Sequence, residues 1–169
     1  HRITAAAKKI TDDYEIILVN DGSPDNSLEI AISLFEKDEK VKVIDLSRNF
    51  SHHKAVMTGF EHTKSSLVFS IACDLEEEPE LLGKFYEEMK KKPEVDVIYG
   101  VQETRKGLFF ERISGSLFYS LFNMLSSDPM PRNLVSARLM SRRYVQSLLQ
   151  HREREVFMGG LMTITGYNQ

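Results

Sequence analysis

Short apolar runs alternate with amphipathic segments over the N-terminal part of the chain. The runs predict strands because each is brief and rich in β-branched residues. Four strands are predicted, at Glu15–Asn20, Val41–Asp45, Leu67–Ala72 and Asp96–Gln102. Helices are predicted before or between them, at His1–Ile10, Ser27–Lys37, His53–Thr63 and Pro79–Lys91. This alternation is typical of βαβ units, so we expect an α/β fold with a mostly parallel sheet flanked by helices.

The second half of the chain begins with a broad aromatic pattern. The residues that recur every four positions, and the aromatic residues that flank them, are Phe109, Ile113, Leu117, Leu121, Leu125, Phe110, Phe118 and Phe122. This spacing predicts a helix with a wide apolar face. The face favours packing in the core, with a homodimer contact or the bilayer interface as alternatives. Beyond it we predict a loop at Asp128–Pro131, a strand at Leu134–Met140 and a helix at Ser141–Leu149.

Length and composition indicate a single globular domain over residues 1–169. Hydrophobic residues make up 41% of the chain and charged residues 28%, which argues against disorder. The formal net charge of -3 argues against nucleic-acid binding. The single cysteine, Cys73, excludes an intrachain disulfide and suits a reducing compartment. No apolar run is long enough to span a bilayer, and no secretory signal is visible.

The turn after the first predicted strand carries the strongest chemical signal. The apolar run stops at Asn20, and an acidic turn with a glycine follows it. Side chains at strand ends face the ligand crevice of an open α/β sheet. There the Asp21 carboxylate can accept the imide N–H of a uracil-type base, and Gly22 lets the backbone approach the ligand without a Cβ. The alternative is ordinary turn chemistry, in which Asn26 or Ser27 caps the next helix.

This turn and three later segments, in order, resemble the family 2 glycosyltransferases. The catalytic domain of that family has the nucleotide-diphospho-sugar transferase fold, called GT-A, which is Rossmann-like. The later segments resemble R-N-F-G-x-x-x-A, D-A-D-L-Q-D-P-P-E and G-D-F-R-L-M-D-R, and lie at Val43–Ala55, Cys73–Glu80 and Asn133–Arg143. The last motif is that of the polyprenyl-phosphate and lipopolysaccharide-type branch.

The resemblance implies a donor site built from the first turn and the acidic motif. Nucleotide contacts then fall on Asp21, Gly22, Ser23 and Asp74. Asp74 would also hold a divalent cation, Mg²⁺ or Mn²⁺, since such a cation commonly uses one or two protein carboxylates beside phosphates and water. Glu77 takes the position of the second acid of the motif, which makes it the candidate catalytic base.

Basic residues supply candidate contacts to phosphate or to the acceptor. Arg138 lies inside the last motif, and Arg105 lies in a predicted loop. A guanidinium donates paired hydrogen bonds that suit a diphosphate or a lipid phosphate. His52 lies at the opening of a predicted helix, where its ring and the helix N-terminus can contact phosphate. For Arg138 and Arg105 the alternative is a solvated side chain, and for His52 it is a polar residue at a helix start.

Three positions depart from the family motifs. Ala72 and Ser136 stand where the motifs have aspartates, and Ser51 replaces the glycine of R-N-F-G. Two functional hypotheses follow, an active enzyme and a non-catalytic homologue that binds sugar nucleotides. A flavodoxin-like signalling domain with Asp21 as its phosphorylated residue is disfavoured, because no convincing lysine follows a later predicted strand.

The active hypothesis is an inverting glycosyltransferase that moves a sugar from a nucleotide-diphosphate donor to a glycan or lipid-phosphate acceptor. The resemblance implies a role in cell-envelope polysaccharide or lipid-linked glycan synthesis, in the cytoplasm or at the inner face of the cell membrane. In the family, a first strand ending in P-x-Y-N-E precedes the matched region and membrane segments often follow it. We therefore expect the catalytic domain to be incomplete at its N-terminus and at its C-terminus.

Overall fold

The computed structural model describes residues 1–101, 134–151 and 158–169, which form an α/β fold. The strands in these ranges are β1 (Ile16–Asn20), β2 (Val41–Asp45), β3 (Leu67–Ser70), β4 (Val97–Val101) and β5 (Leu134–Ser141). The helices are α1 (Arg2–Lys8), α2 (Ser27–Lys37), α3 (His52–Glu61), α4 (Leu81–Lys91), α5 (Arg142–Leu148) and α6 (Met158–Ile164). The hydrophobic pattern predicted each of these elements except α6.

The described strands form two ladders. β1 pairs with β2 in parallel, with Ile16 opposite Val41 and Asn20 opposite Asp45. β5 lies between β3 and β4 and is antiparallel to both. Since β3 and β4 both run opposite to β5, they run in the same direction as each other.

Contacts at the amino ends of the strands relate the two ladders. Glu15, just before β1, accepts a hydrogen bond at 3.2 Å from the backbone N–H of Lys64, which lies just before β3. Glu15 also forms an ion pair with Lys42 of β2. β1, β2 and β3 therefore begin at the same end of the molecule, and α3 returns the chain from the end of β2 toward the start of β3. This is the mostly parallel arrangement that we predicted, with β5 as the reversed strand among those described.

Two apolar clusters cover the two faces of the sheet formed by β3, β5 and β4. Successive side chains of a strand point to opposite faces, so β5 contributes to both clusters. Met140 packs with residues of α3, α5 and α6, whereas Ala137 and Leu139 pack with residues of α1 and α4. The Tyr144 hydroxyl donates to the carbonyl of Met162 at 2.8 Å and so joins α5 to α6. Burial raises the pKa of that hydroxyl to about 12.

Helix α2 has no buried residue, although its sequence is rich in apolar side chains. Ile30 and Phe35 are each 53% exposed, and Ile32 and Leu34 are also exposed. α2 nevertheless packs against β1 and β2. The pattern therefore predicted the helix correctly, whereas the exposure of its apolar residues depends on what surrounds the helix.

Element boundaries differ from the predicted ones by at most two residues. β3 ends at Ser70 instead of Ala72, since its pairing with β5 stops there. α4 begins at Leu81 instead of Pro79, because the N–H groups of Leu81 and Leu82 bond to carbonyls three residues earlier, as in a turn.

Two predicted elements lie outside the described residues, namely the aromatic helix that starts at Phe109 and the loop at Asp128–Pro131. The three interpretations of that helix, as a core helix, a homodimer contact or a bilayer contact, therefore remain predictions. Within the described ranges, none of the helices combines the length and the apolar character needed to cross a membrane.

Candidate functional site

The buried side chain of Asn20 holds the turn after β1 against the end of β2. Its amide nitrogen donates to Asp45 Oδ1 at 2.8 Å, and its Oδ1 accepts a hydrogen bond at 3.2 Å from the backbone N–H of Ser23. An amide suits this position because it donates and accepts at the same time. The backbone of Ser23, a predicted nucleotide ligand, is thereby fixed in place while the residue itself is exposed.

Asp21 uses one carboxylate oxygen within the protein. Its Oδ1 accepts a hydrogen bond at 2.7 Å from the backbone N–H of Phe50, in the loop after β2. This bond joins the loops that follow two adjacent parallel strands, which is where a ligand crevice is expected. Asp21 therefore lies where the sequence places it, with a structural bond that the sequence did not indicate.

Gly22 has a φ of +67°, a conformation that residues with a side chain rarely adopt. A Cβ at this position would lie 2.7 Å from the backbone nitrogen of Asn49 and 3.0 Å from the carbonyl carbon of Arg48. The missing Cβ therefore permits a close approach by the protein's own backbone. From the sequence we expected a ligand to use that space.

Ser51 adopts a φ of 86° and a ψ of 151°, a combination that is otherwise almost confined to glycine. This is the position where the resembled motif has glycine, so the substitution introduces backbone strain. Ser51 immediately precedes α3 but makes no side-chain capping bond there. Its own N–H donates to Asn49 Oδ1 at 3.0 Å.

His52 is the first residue of α3 and is exposed. Its ring lies beside that of His53, with the ring centroids 5.7 Å apart. In the same loop, the Arg48 guanidinium lies 4.1 Å from the centroid of the Phe50 ring. The backbone of Arg48, in contrast, lies against Gly22.

Asp74 lies in the exposed loop after β3. Its Oδ1 accepts a hydrogen bond at 3.0 Å from the backbone N–H of Glu76, and the intervening Leu75 has a φ of 62°. Ala72 adds no second carboxylate, and the described residues contain no group of three or more His, Cys, Asp or Glu side chains that could hold a metal ion. A cation at Asp74 would therefore take most of its ligands from bound phosphate and water.

Glu77 is bonded to the beginning of β5. Its Oε1 accepts from the Ser136 N–H at 2.5 Å, and its Oε2 accepts from the Ser136 hydroxyl and from the Ala137 N–H, both at 2.7 Å. The pairing of β4 with β5 is irregular between Tyr99 and Val101, as at a β-bulge. Two consecutive N–H groups of β5 can therefore bind one carboxylate. The candidate base thus has both carboxylate oxygens occupied.

Arg138, in the middle of β5, is only 6% exposed. Burial lowers the pKa of its guanidinium, while nearby tyrosines and Glu77 favour the charged form. An arginine nevertheless stays protonated in proteins. The guanidinium lies 5.3 Å from the centroid of the Tyr99 ring, and no carboxylate among the described residues forms an ion pair with it. A buried cation that forms no ion pair with the described carboxylates favours the binding of an anion.

The predicted residues form two groups at the edge where β1, β2 and β3 end and β5 begins. One group follows β1 and β2 and contains Asp21, Gly22, Ser23 and His52, and the other follows β3 or lies on β5 and contains Asp74, Glu77 and Arg138. No hydrogen bond or ion pair between described residues joins the two groups. Arg105, the remaining predicted contact, lies outside the described residues.

A cavity of about 420 Å³ opens at the opposite edge of the sheet. Its lining includes Leu67, Asp96 and Ser141, which lie at the starts of β3 and β4 and at the end of β5. None of the predicted site residues lines it. The cavity is therefore separate from the candidate site.

The hydrogen-bonding partners of the predicted residues were missed by sequence reasoning. Asp21 and Glu77 were taken as carboxylates available to ligands, and each accepts backbone N–H groups from a distant segment. One signal for the Glu77 contact was present, since Ser136 places a hydroxyl donor where the resembled motif has an acid. No local signal indicated that Asn20 would join Asp45.

A sequence model of glycosyl transferase family 2 matches residues 1–149 of the chain. The matched range contains all five described strands. It also contains both groups of predicted residues.

Similar proteins cover nearly all of this chain. A protein of Mycobacterium tuberculosis (strain CDC 1551 / Oshkosh) named "Putative glycosyltransferases" is 47% identical over 168 residues, 99% of this chain and 49% of that protein. The uncharacterized glycosyltransferase YkcC of Bacillus subtilis is 32% identical over 169 residues, 99% of this chain and 52% of YkcC. An undecaprenyl-phosphate 4-deoxy-4-formamido-L-arabinose transferase of Photorhabdus laumondii is 30% identical over 158 residues, 93% of this chain and 48% of that enzyme. The chain spans about half the length of these relatives.

Proposed function

Because the chain belongs to glycosyl transferase family 2, we propose that the whole protein moves a sugar from a nucleotide-diphosphate donor to an acceptor. The Photorhabdus laumondii relative carries undecaprenyl phosphate in its name, so we propose a lipid phosphate as the acceptor, with a glycan as the alternative. The proposed role is in cell-envelope polysaccharide or lipid-linked glycan synthesis.

The observation that carries this proposal is the buried guanidinium of Arg138 at the carboxyl edge of the strands. Burying a cation without an ion pair costs free energy, which binding of an anion offsets. A diphosphate or a lipid phosphate supplies oxygens that suit the paired N–H donors of a guanidinium. Arg138 is therefore the proposed phosphate contact, and His52 and Arg105 are proposed as additional ones.

The nucleotide is proposed to bind over the turn after β1. Asp21 would accept the imide N–H of a uracil-type base, and its bond to Phe50 holds the carboxylate in place for that contact. Gly22 and Ser23 would line the same turn. Asn20 fixes the Ser23 backbone to the end of β2 and so holds this turn in place.

Asp74 is proposed as the residue that would hold a divalent cation, Mg²⁺ or Mn²⁺, when the donor is bound. One protein carboxylate is compatible with Mg²⁺, which commonly keeps phosphate and water ligands. When bound, the cation would neutralise charge that develops on the leaving diphosphate. Asp74 suits this role because its backbone contact uses only Oδ1, and the residue is exposed.

We propose inversion at the anomeric carbon by one direct displacement. An acceptor oxygen forms the new bond to that carbon while the bond to the leaving diphosphate oxygen breaks. Glu77 is the candidate to take the proton of a hydroxyl acceptor, and its bonds to Ser136 and Ala137 would have to open first. A lipid phosphate is largely ionised at neutral pH, since its second pKa is about 6, and it would need no base.

A non-catalytic protein that binds sugar nucleotides is the alternative function. It is favoured by Ala72, which leaves Asp74 without the neighbouring carboxylate of the resembled motif, and by the neutral Ser136. Hydrolysis of the sugar nucleotide distinguishes the two functions. An active enzyme releases sugar slowly in a metal-dependent reaction, whereas a binding protein leaves the donor intact.

The proposed location is the cytoplasm or the inner face of the cell membrane. The exposed free thiol of Cys73 is compatible with a reducing compartment. Membrane association and a homodimer are proposed as further interactions of the whole protein. Both rest on the aromatic pattern of residues 109–125 and on the lipid acceptor.

The test of the donor site uses the full-length protein and calorimetric titration with UDP, GDP, ADP and CDP, each with and without Mn²⁺. Mn²⁺ should tighten binding of the preferred diphosphate to the wild type by about tenfold, which is roughly 1.4 kcal/mol. Asp74→Asn should lose most of that gain, since an amide is a weaker cation ligand than a carboxylate. Asp13→Asn is the matched control, because Asp13 is exposed and lies outside both groups.

Equal Mn²⁺ enhancement in the wild type and in Asp74→Asn would place the cation elsewhere. Failure of the wild type to bind any of the four diphosphates, with the fold verified by circular dichroism, would contradict the proposed function itself.

A further inference from the structure

We propose that Glu77 and Ser136 form a clasp that positions Asp74 and Arg138 relative to each other for donor binding. This inference rests on the proposed function, because it concerns the same site. It assigns Glu77 as a positioning residue in place of a base. It also assigns a role to Ser136, which sequence comparison presents only as a missing acid.

The contact between Glu77 and β5 consists of three short hydrogen bonds. The Glu77 carboxylate accepts the Ser136 N–H, the Ser136 hydroxyl and the Ala137 N–H, all within 2.7 Å. Hydrogen bonds to an ionised group are shorter and stronger than those between neutral groups. Because the bonds use both carboxylate oxygens, the side chain has one preferred orientation.

The clasp joins the two segments that carry the candidate phosphate and cation contacts. Glu77 lies three residues after Asp74 in the loop that follows β3, and Ser136 lies two residues before Arg138 on β5. Ser136 lies in the irregular part of β5, and Arg138 lies where the regular pairing with β4 resumes, opposite Tyr99. The last residue pair of β3 and β5 is that of Ser70 with Arg138, so this ladder does not extend to the Asp74 loop. The clasp provides that connection.

The chemistry of the proposed acceptor supports a positioning role for Glu77. An ionised lipid phosphate already has a nucleophilic oxygen, so no proton needs to be removed from it. The hydrogen bonds of Glu77 stabilise the carboxylate where it is and occupy both oxygens that would receive a proton. A positioning role requires no change in these contacts during the reaction.

Ser136 is the matched partner of Glu77. A hydroxyl donates to the carboxylate, whereas an aspartate at position 136 would place a second negative charge beside it. The neutral residue is therefore required by this clasp. Accordingly, Ser136→Asp, which restores the motif acid, should weaken donor binding.

The test is a double-mutant cycle on the full-length protein with Glu77→Gln, Ser136→Ala and the double variant. Each variant is measured for urea unfolding and for affinity toward the preferred nucleoside diphosphate with Mn²⁺. Each single variant should weaken that affinity by about three- to tenfold, which is within the range of one lost hydrogen bond of ordinary strength. The double variant should lose no more than the larger single loss, because both changes remove the same bond. Glu78→Gln is the control, since Glu78 is an exposed neighbour in the same loop.

A second measurement separates positioning from base catalysis. If Glu77 only positions Asp74 and Arg138, the pH profiles of kcat for Glu77→Gln and Ser136→Ala keep the wild-type shape. The loss of activity then appears as a higher KM for the donor. If Glu77 is the base, Glu77→Gln alone abolishes kcat and its acidic limb, which would overturn the positioning role.

The remaining outcomes each decide one claim. The effects of the two substitutions on the free energy of unfolding could be non-additive while their effects on diphosphate affinity are additive. That result would make the clasp purely structural and overturn the inference. Additive losses in both measurements would show that the two side chains act independently, which also overturns it. If the wild type binds no diphosphate, both the proposed function and the positioning role fail. If it binds with Mn²⁺ but Ser136→Asp binds equally well, only the clasp fails.

Discussion

At the scale of single residues, side chains of the candidate site also hold its loops together. Asp21 accepts the Phe50 N–H and Glu77 accepts two N–H groups of β5, so each carboxylate bridges segments far apart in sequence. Groups fixed in this way lose less freedom when a ligand binds. The same loops contain backbone strain. Ser51 adopts a conformation that favours glycine.

Ser51→Gly should stabilise the protein by about 1 kcal/mol. The strain of such a conformation is about 1–3 kcal/mol, and the greater backbone entropy of glycine in the unfolded chain offsets about 0.5–1 kcal/mol of the gain. Urea unfolding of both proteins measures the difference. Ser65→Gly is the control, because Ser65 is an exposed loop residue outside the positive-φ set, and it should give no gain. Equal effects at the two positions would show that Ser51 is unstrained.

At the scale of elements, the start of β4, the end of β5 and the start of α5 meet at Asp96. This residue is 3% exposed and accepts hydrogen bonds from the Ser141 hydroxyl at 2.6 Å and from the Arg143 guanidinium at 2.5 and 2.6 Å. Ser141 in turn caps α5 by accepting the Tyr144 N–H. The hydrogen bonds from Arg143, followed by that from Ser141, hold the pKa of the Asp96 carboxyl below its ordinary value despite burial.

Asp96→Asn should destabilise the protein by about 1–3 kcal/mol at pH 7, the cost of a broken hydrogen bond to a charged group. Because the pKa of Asp96 is lowered on folding, its contribution is complete above the unfolded pKa of about 3.9 and is lost as the pH falls through the folded pKa. The difference in the free energy of unfolding between wild type and variant should therefore become smaller as the pH falls. Urea unfolding at pH 7 and pH 3 measures it, with Asp13→Asn as control. A gap of the same size at both pH values would contradict the assignment.

At the scale of the whole molecule, the strand directions bring the candidate residues to one edge and leave a charge buried there. β1, β2 and β3 end at this edge and β5 begins at it, which places the loops with Asp21 and Asp74 and the guanidinium of Arg138 on the same side. Arg138 is buried and forms no ion pair with any of the described residues. A buried arginine without an ion pair favours the binding of an anion but lowers the stability of the fold.

Arg138→Met should leave the free energy of unfolding unchanged or raise it by about 1–4 kcal/mol, since an apolar side chain of similar length removes the desolvation cost. The same change should weaken diphosphate binding by about tenfold or more, because charged hydrogen bonds to phosphate are lost. Urea unfolding and calorimetry measure the two effects. Arg142→Met is the contrasting control, because Arg142 donates to the carbonyl and hydroxyl of Thr63. That variant should lose stability and keep its affinity.

Loss of stability in Arg138→Met with unchanged affinity would show that Arg138 is structural. In that case the anion contact of the candidate site would lie elsewhere.

Most elements, and the strand ends at which the candidate residues lie, could be predicted from the sequence because both depend on local signals. Apolar spacing predicted the described helices and strands, except α6, to within two residues, and the acidic turn after β1 indicated the strand end that carries Asp21. The exposed apolar face of α2 shows the limit of that signal, since Ile30 and Phe35 have the spacing of buried residues but lie at the surface. Burial depends on what packs against a helix, and that information is absent from the helix itself.

The sequence by itself therefore determined the α/β class, the order of the elements and the candidate residues at the strand ends, because these follow from side chains a few positions apart. Only the tertiary structure decided that β5 lies between β3 and β4, that Arg138 is buried and that Glu77 meets Ser136, 59 residues away. The physical reason is that a hydrogen bond or an ion pair depends on the final positions of both partners. No local propensity specifies which distant donor will face a given acceptor.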